Sequence, residues 1–125
     1  MSLPFTDRIY VFTPGAVGVT STRTSPSYDV SKRQVIVVVF TGSNISSGNG
    51  AFSVDGSVDN SYWVTGITMQ DATAVSTAIT AGILTKTISA NGVAGVYIRP
   101  GWHYLRVKVV VTTDGRYSAT IGSAG

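Results

Sequence analysis

Trp102-His103-Tyr104-Leu105-Arg106-Val107-Lys108-Val109-Val110-Val111-Thr112-Thr113-Asp114-Gly115-Arg116-Tyr117-Ser118-Ala119-Thr120-Ile121 reads as two strands joined at Asp-Gly, a dipeptide that favours a β-hairpin. Two registers compete. A two-residue loop, Asp114-Gly115, pairs Thr112 with Tyr117, Val110 with Ala119 and Lys108 with Ile121, which sets a lysine beside apolar side chains. A three-residue loop, Thr113-Asp114-Gly115, pairs Val111 with Tyr117, Val109 with Ala119 and Val107 with Ile121. Gly115 then takes the left-handed position of a G1 bulge. The second register makes one face wholly apolar, and a slip of one residue would turn that face to solvent, so burial selects it. The expectation is a hairpin with a greasy side and a basic, hydroxyl-rich side of Arg106, Lys108, Arg116, Ser118 and Thr120.

Upstream, Gln34 to Thr41 is apolar on both faces, Val35/Val37/Val39 and Ile36/Val38/Phe40. Such a strand needs cover on both sides, and on an open edge it would template aggregation. It is therefore expected in the middle of a sheet, its second face against another sheet or subunit. Arg8 to Thr13 alternates as a strand broken by Pro14-Gly15, and Val17 to Thr24 reads as a polar edge strand ended by Ser25-Pro26-Ser27. Gly42 to Gly50 is a loop that contains the sequon Asn44-Ile45-Ser46. Ala51–Ser57 and Tyr62–Ile67 are expected to form a hairpin around turn formers. Gln70 to Gly82 spaces Val75, Ala78 and Ile79 for a short helix, with Asp71 as N-cap and Gly82 as stop. Ile83–Ser89 and Val93–Arg99 flank Asn91-Gly92, another hairpin signal. Together these give an all-β chain: an N-terminal arm over 1–7 and one domain over 8–125. The expected fold is a two-layer antiparallel β-sandwich, Ig-like or jelly-roll, with room for one short helix.

The chain has 125 residues, enough for one domain with a real core. Charged residues make up 12%, against about 25% in typical soluble domains, and Glu is absent. Few charges are left to cover a solitary surface, which points to assembly into a homo-oligomer or onto another protein. The net charge is +3, and the nine basic residues are scattered rather than clustered, unlike a nucleic-acid footprint. There is no cysteine. The N-terminus has neither the charged n-region nor the apolar h-region of a signal peptide, and the longest apolar run is too short to span a bilayer.

Catalytic chemistry finds little support. His103 is the single histidine, and strand alternation places it beside Leu105 and Val107 at the margin of the core. Asp55, Asp59 and Asn60 offer oxygens to calcium, but EF-hand spacing is absent, and side chains bonding their own turn are the preferred reading. Neither a phosphate loop nor a metal cluster is visible, so no enzyme activity and no cofactor are expected. Binding candidates remain. Trp63, Trp102 and Tyr104 lie near strand ends, where aromatics anchor interfaces or stack on sugar rings. Arg106, Lys108 and Arg116, with Arg99 nearby, suit an acidic protein surface.

Phe52-Ser53-Val54-Asp55-Gly56-Ser57-Val58-Asp59-Asn60-Ser61-Tyr62-Trp63, followed by Tyr97-Ile98-Arg99-Pro100-Gly101-Trp102-His103-Tyr104-Leu105-Arg106-Val107-Lys108-Val109 and Asp114-Gly115, resembles small all-β virion proteins of tailed bacteriophages. The resemblance covers about residues 50 to 122. It implies a virion structural protein, oligomeric and without catalytic residues: a capsid decoration (cement) protein, or alternatively a head–tail or tail component. A carbohydrate- or receptor-binding β-sandwich module is the alternative from another class. Neither nucleic acid nor membrane is expected as a partner.

Overall fold

A computed structural model describes residues 9–11, 19–32, 35–71, 82–99 and 101–124. The N-terminal arm at 1–7 lies outside them. Eleven strands form among the described residues: β1 (Ile9–Tyr10), β2 (Arg23–Thr24), β3 (Tyr28–Asp29), β4 (Val35–Ser43), β5 (Asn49–Ser57), β6 (Trp63–Val64), β7 (Met69–Asp71), β8 (Lys86–Ile88), β9 (Gly92–Ile98), β10 (Tyr104–Thr112) and β11 (Arg116–Ala124). One sheet has the order β1-β11-β4-β9-β7. The other runs β2-β10-β5-β6, with β3 also on β10 and β8 also on β5. Every pairing is antiparallel, and the two sheets pack as a β-sandwich.

β4 is central, held by β11 on one side and β9 on the other, as its doubly apolar sequence demands. Ile36, Val38 and Phe40 are fully buried between the sheets, while Val37 and Val39 stand half-buried on the outer face.

The expected hairpin at Asp114-Gly115 does not form. β10 pairs along its whole length with β5, and β11 with β4, so the two strands lie in different sheets. The chain between them is an arch that carries it from one layer to the other. The inward faces are those expected: Val107, Val109, Tyr117, Ala119 and Ile121 are buried, and Val111 packs against the core. These side chains come from opposite layers of the core instead of one ladder. Asp-Gly reports a chain able to take positive φ, and the arch uses that property at Gly115, φ 115°; Thr113 before it is also at positive φ, 71°. The Asn91-Gly92 hairpin fails in the same way. β8 joins β5 in one sheet and β9 joins β4 in the other.

Three arches thus stand side by side at one end of the sandwich, at 89–91, 44–48 and 113–115, because β9-β4-β11 in one sheet matches β8-β5-β10 in the other. Side chains tie them together. Ile45 N–H donates to Asn91 Oδ1 at 3.0 Å, and the N–H groups of Ser46, Ser47 and Gly48 converge on Asp114 Oδ1 at 3.2, 3.3 and 2.9 Å. Beneath the arches Phe40 stacks on Phe52 with ring centroids 4.3 Å apart, and Tyr117 meets Phe52 edge-on at 6.2 Å. The Tyr117 hydroxyl donates to the Asp114 carbonyl oxygen at 2.8 Å.

Burial, with a smaller contribution from the Asp114 charge, pushes the Tyr117 hydroxyl above the ordinary tyrosine pKa of 10.0. The unfolded chain ionises this group first, so its contribution to stability is complete below pH 10.0 and falls as pH rises toward the folded value. Tyr117→Phe should flatten the alkaline limb of a stability-versus-pH curve measured by urea unfolding; an unchanged limb would assign that loss elsewhere.

The polar edge strand expected over 17–24 is represented by β2, exposed on β10, with Val19 making a bridge to Tyr117. Ser25-Pro26-Ser27 interrupts this edge, and buried Ser25 preserves the ladder: its N–H donates to Val107 O at 2.8 Å and its Oγ accepts from Val107 N–H at 2.9 Å. The chain then returns to β10 as β3, a strand too short for alternation to reveal. Of the first expected strand, Ile9 and Tyr10 pair with β11. The helix expected over 70–82 is corrected at its start, because Gln70 and Asp71 belong to β7 and pair with β9; positions 72–81 lie outside the described residues. The expected hairpin after Ala51 is present, with Gly56 opposite Val64 and Ser57 opposite Trp63.

Candidate binding surfaces

Because β10 and β11 separate into two layers, the single basic side expected for them is divided. Arg106 and Lys108 project from the outer face of the six-stranded sheet. Arg116 projects from the five-stranded sheet beside the arches, near Asn44 and Thr113. Arg99 is exposed beyond the end of β9 and, with Trp102 and Val64, borders a separate hollow of about 440 Å³. The expected basic cluster is therefore three separate places. Strand alternation puts these residues on outward faces, but it does not say which sheet owns each face.

Arg106 is held by an ion pair and a ring contact. The ladder sets it opposite Asp55, and its Nε donates to Asp55 Oδ2 at 2.8 Å. Asp55 is buried, and its second oxygen accepts from Gly66 N–H at 2.9 Å, so both carboxylate oxygens are satisfied. The Arg106 guanidinium lies over the Trp63 ring, 4.3 Å from its centroid. Trp63 is delivered to that place by the β5–β6 hairpin, whose turn is built by Ser57 and Asp59. Asp59 Oδ1 accepts from Ser61 N–H and Tyr62 N–H, both at 2.9 Å, and Ser57 Oγ donates to Tyr62 O at 2.6 Å. The hydrogen bonds that Asp59 accepts from Tyr62 N–H first, then from Ser61 N–H, hold its carboxyl below the usual carboxylate range. Asp55 and Asp59 thus serve an ion pair and a turn. Among the described residues no group of three His, Asp or Glu side chains could hold a metal ion.

The remaining aromatics take different positions. Trp102 is half-buried against the core and covers Gly56, where an added Cβ would lie 2.6 Å from the indole. Tyr104 stands on β10 between Ser57 and Asp29. Among the described residues Tyr62 is the most exposed of the large apolar side chains. His103 is corrected: it is exposed, not at the core margin, standing just before β10, where its N–H still donates to Ser57 O at 3.0 Å and its carbonyl accepts from Val30 N–H at 2.8 Å.

Above β5 and β10, between β2 and the segments at 65–66 and 84–85, lies a hollow of about 400 Å³. Its floor holds Ser53, Asp55, Arg106 and Lys108. The partnership of Asp55 with Arg106 escaped the sequence reading; the outward parity of both residues was visible, but not the ladder that sets them opposite.

The outer face of the five-stranded sheet is of another kind. Across it lie the rows Ser118-Thr41-Val93, Thr120-Val39-Gly95 and Gly122-Val37-Tyr97. These rows contain no charge between Arg116 at one end and Arg99 at the other. Val93 and Tyr97 are exposed, and the hydroxyls of Thr41 and Ser118 bond to each other across the ladder. The molecule is thus a β-sandwich with two unlike outer faces, one charged and hollowed, the other continuous and, among the described residues of β11, β4 and β9, without charge between Arg116 and Arg99. Comparison of the chain with protein-family models, with curated proteins and with solved structures finds no match in any of the three.

Proposed function

We propose that this protein is a non-enzymatic structural subunit of a virion, of the capsid decoration type, acting by adhesion between copies of itself and to the particle beneath. The observation that carries the reading is the outer face of the five-stranded sheet, where the rows across β11, β4 and β9 carry no charge among the described residues and set Val37, Val39, Val93 and Tyr97 among Ser, Thr and Gly. Exposed apolar side chains with no charge among them favour contact with another protein over contact with water. The 12% charged content agrees with this, as does the resemblance of residues 50–122 to phage virion proteins. Adhesion through a sheet face needs no moving part and no reactive group. Each contact is modest, and many copies on one particle multiply it. A stable interface buries roughly 1,200–2,000 Å² in total, the area such a contact has to cover.

Light scattering on the purified chain tests the adhesive part. The expected result is an oligomer, converted to monomer by Val39→Lys, which places a charge at the centre of the face while the core side of β4 is untouched. A wild-type chain that stays monomeric and does not sediment with capsids would overturn the proposal.

A further inference from the structure

We propose that the hollow on the outer face of the six-stranded sheet binds an acidic sugar, a pyranose carrying a carboxylate, as in a uronate or a sialate. The site lies on the face opposite the one assigned to adhesion and does not depend on that assignment. Its volume of about 400 Å³ falls in the range of small-ligand sites. Two cations stand on its floor against one carboxylate. Arg106 commits its Nε to Asp55 and its plane to Trp63, which fixes the side chain before any ligand arrives. Among the described residues the terminal guanidinium nitrogens make no hydrogen bond, and Lys108 is exposed and makes neither a hydrogen bond nor an ion pair. The hollow is therefore net positive, with donors left over for an anion.

The rest of the lining selects for what the anion is attached to. Thr24, Ser53, Thr65 and Thr85 bring four hydroxyls, none of them hydrogen-bonded among the described residues. Hydroxyls that both donate and accept match those of a sugar ring. Leu84, 58% exposed at the rim, offers the apolar patch that the C–H face of a pyranose covers. Trp63 is not the stacking platform, because Arg106 already lies over its ring. A nucleic-acid backbone would want a longer basic track than two neighbouring cations.

The test is an amide-resolved NMR titration of the full chain with trigalacturonate and with sialyllactose, alongside lactose and acetate. The expected result is that at least one acidic oligosaccharide shifts the amides of Ser53, Gly66, Thr85 and Lys108, while lactose and acetate at equal concentration do not. Lys108→Gln should weaken that binding about tenfold or more, the effect of losing a hydrogen bond to a charged group, and added salt should weaken it too. Val39→Lys should leave it unchanged, which separates this site from the adhesive face. Equal shifts with lactose, equal shifts with acetate, no shifts from either acidic sugar, or undiminished binding in Lys108→Gln would each overturn the proposal.

Discussion

Gly48→Ala is expected to cost about 3–4 kcal/mol of stability, in the upper tail of single substitutions. Gly48 is buried at the point where the arch at 44–48 presses against the arch at 113–115. A Cβ there would collide with the carbonyl oxygen of Thr112 and with both the nitrogen and the carbonyl oxygen of Asp114. All three are backbone atoms, so no rotamer change relieves the clash. The chain would have to move away from the Asp114 carboxylate, which would also break the hydrogen bonds it accepts from Ser46, Ser47 and Gly48. Gly92→Ala is the control, because a Cβ at Gly92 meets nothing nearer than Ala90 O at 3.9 Å. Urea unfolding of the two variants decides the matter: if Gly48→Ala unfolds at the same midpoint as Gly92→Ala, the arches do not pack as described.

Phe52→Ala should destabilise the protein by about 3–5 kcal/mol, the usual range for emptying an aromatic site in a core. Phe52 is wholly buried and lies between Phe40 of the opposite sheet, stacked at 4.3 Å, and Tyr117 of the same opposite sheet, edge-on at 6.2 Å. It therefore joins the two layers directly under the arches, where Gly50 leaves room for the Tyr117 ring at 2.5 Å from a would-be Cβ. Phe52→Leu should cost less, since it retains most of the apolar volume. A double-mutant cycle with Phe40→Leu should return a coupling of about 0.5–1.5 kcal/mol, the surplus of an aromatic pair over simple burial. A loss below about 1.5 kcal/mol for Phe52→Ala, less than half the range for such a site, would mean that the aromatic cluster does not hold the sheets together.

Both effects depend on the way the chain crosses between sheets, and that is where the sequence was least legible. The candidate surfaces show the same division. Each of Arg106, Lys108 and Arg116 is recognisable as an outward cation from its place in an alternating strand. That Arg106 sits with Asp55 and Trp63 while Arg116 lies on the other sheet follows only from the ladders β10–β5 and β11–β4. The hydroxyls of Thr24 and Thr85 come to the hollow from chain segments about 60 positions apart, and no local pattern announces them.

Alternation along the chain was sufficient to sort side chains into inward and outward sets: Val107, Val109, Tyr117, Ala119 and Ile121 inside, and the doubly apolar β4 at the centre of its sheet. It also sufficed for the short hairpin from β5 to β6, where turn formers and neighbouring strands agree. The choice between hairpin and arch at Asp114-Gly115 and at Asn91-Gly92 belonged to the assembled molecule. Both connections use the same turn residues and bury the same side chains, and the backbone groups that form a ladder are the same in every residue. Which strand occupies them is a competition among distant segments, won here by β5 for β10 and by β4 for β11, and that competition has no signature within ten residues of the turn.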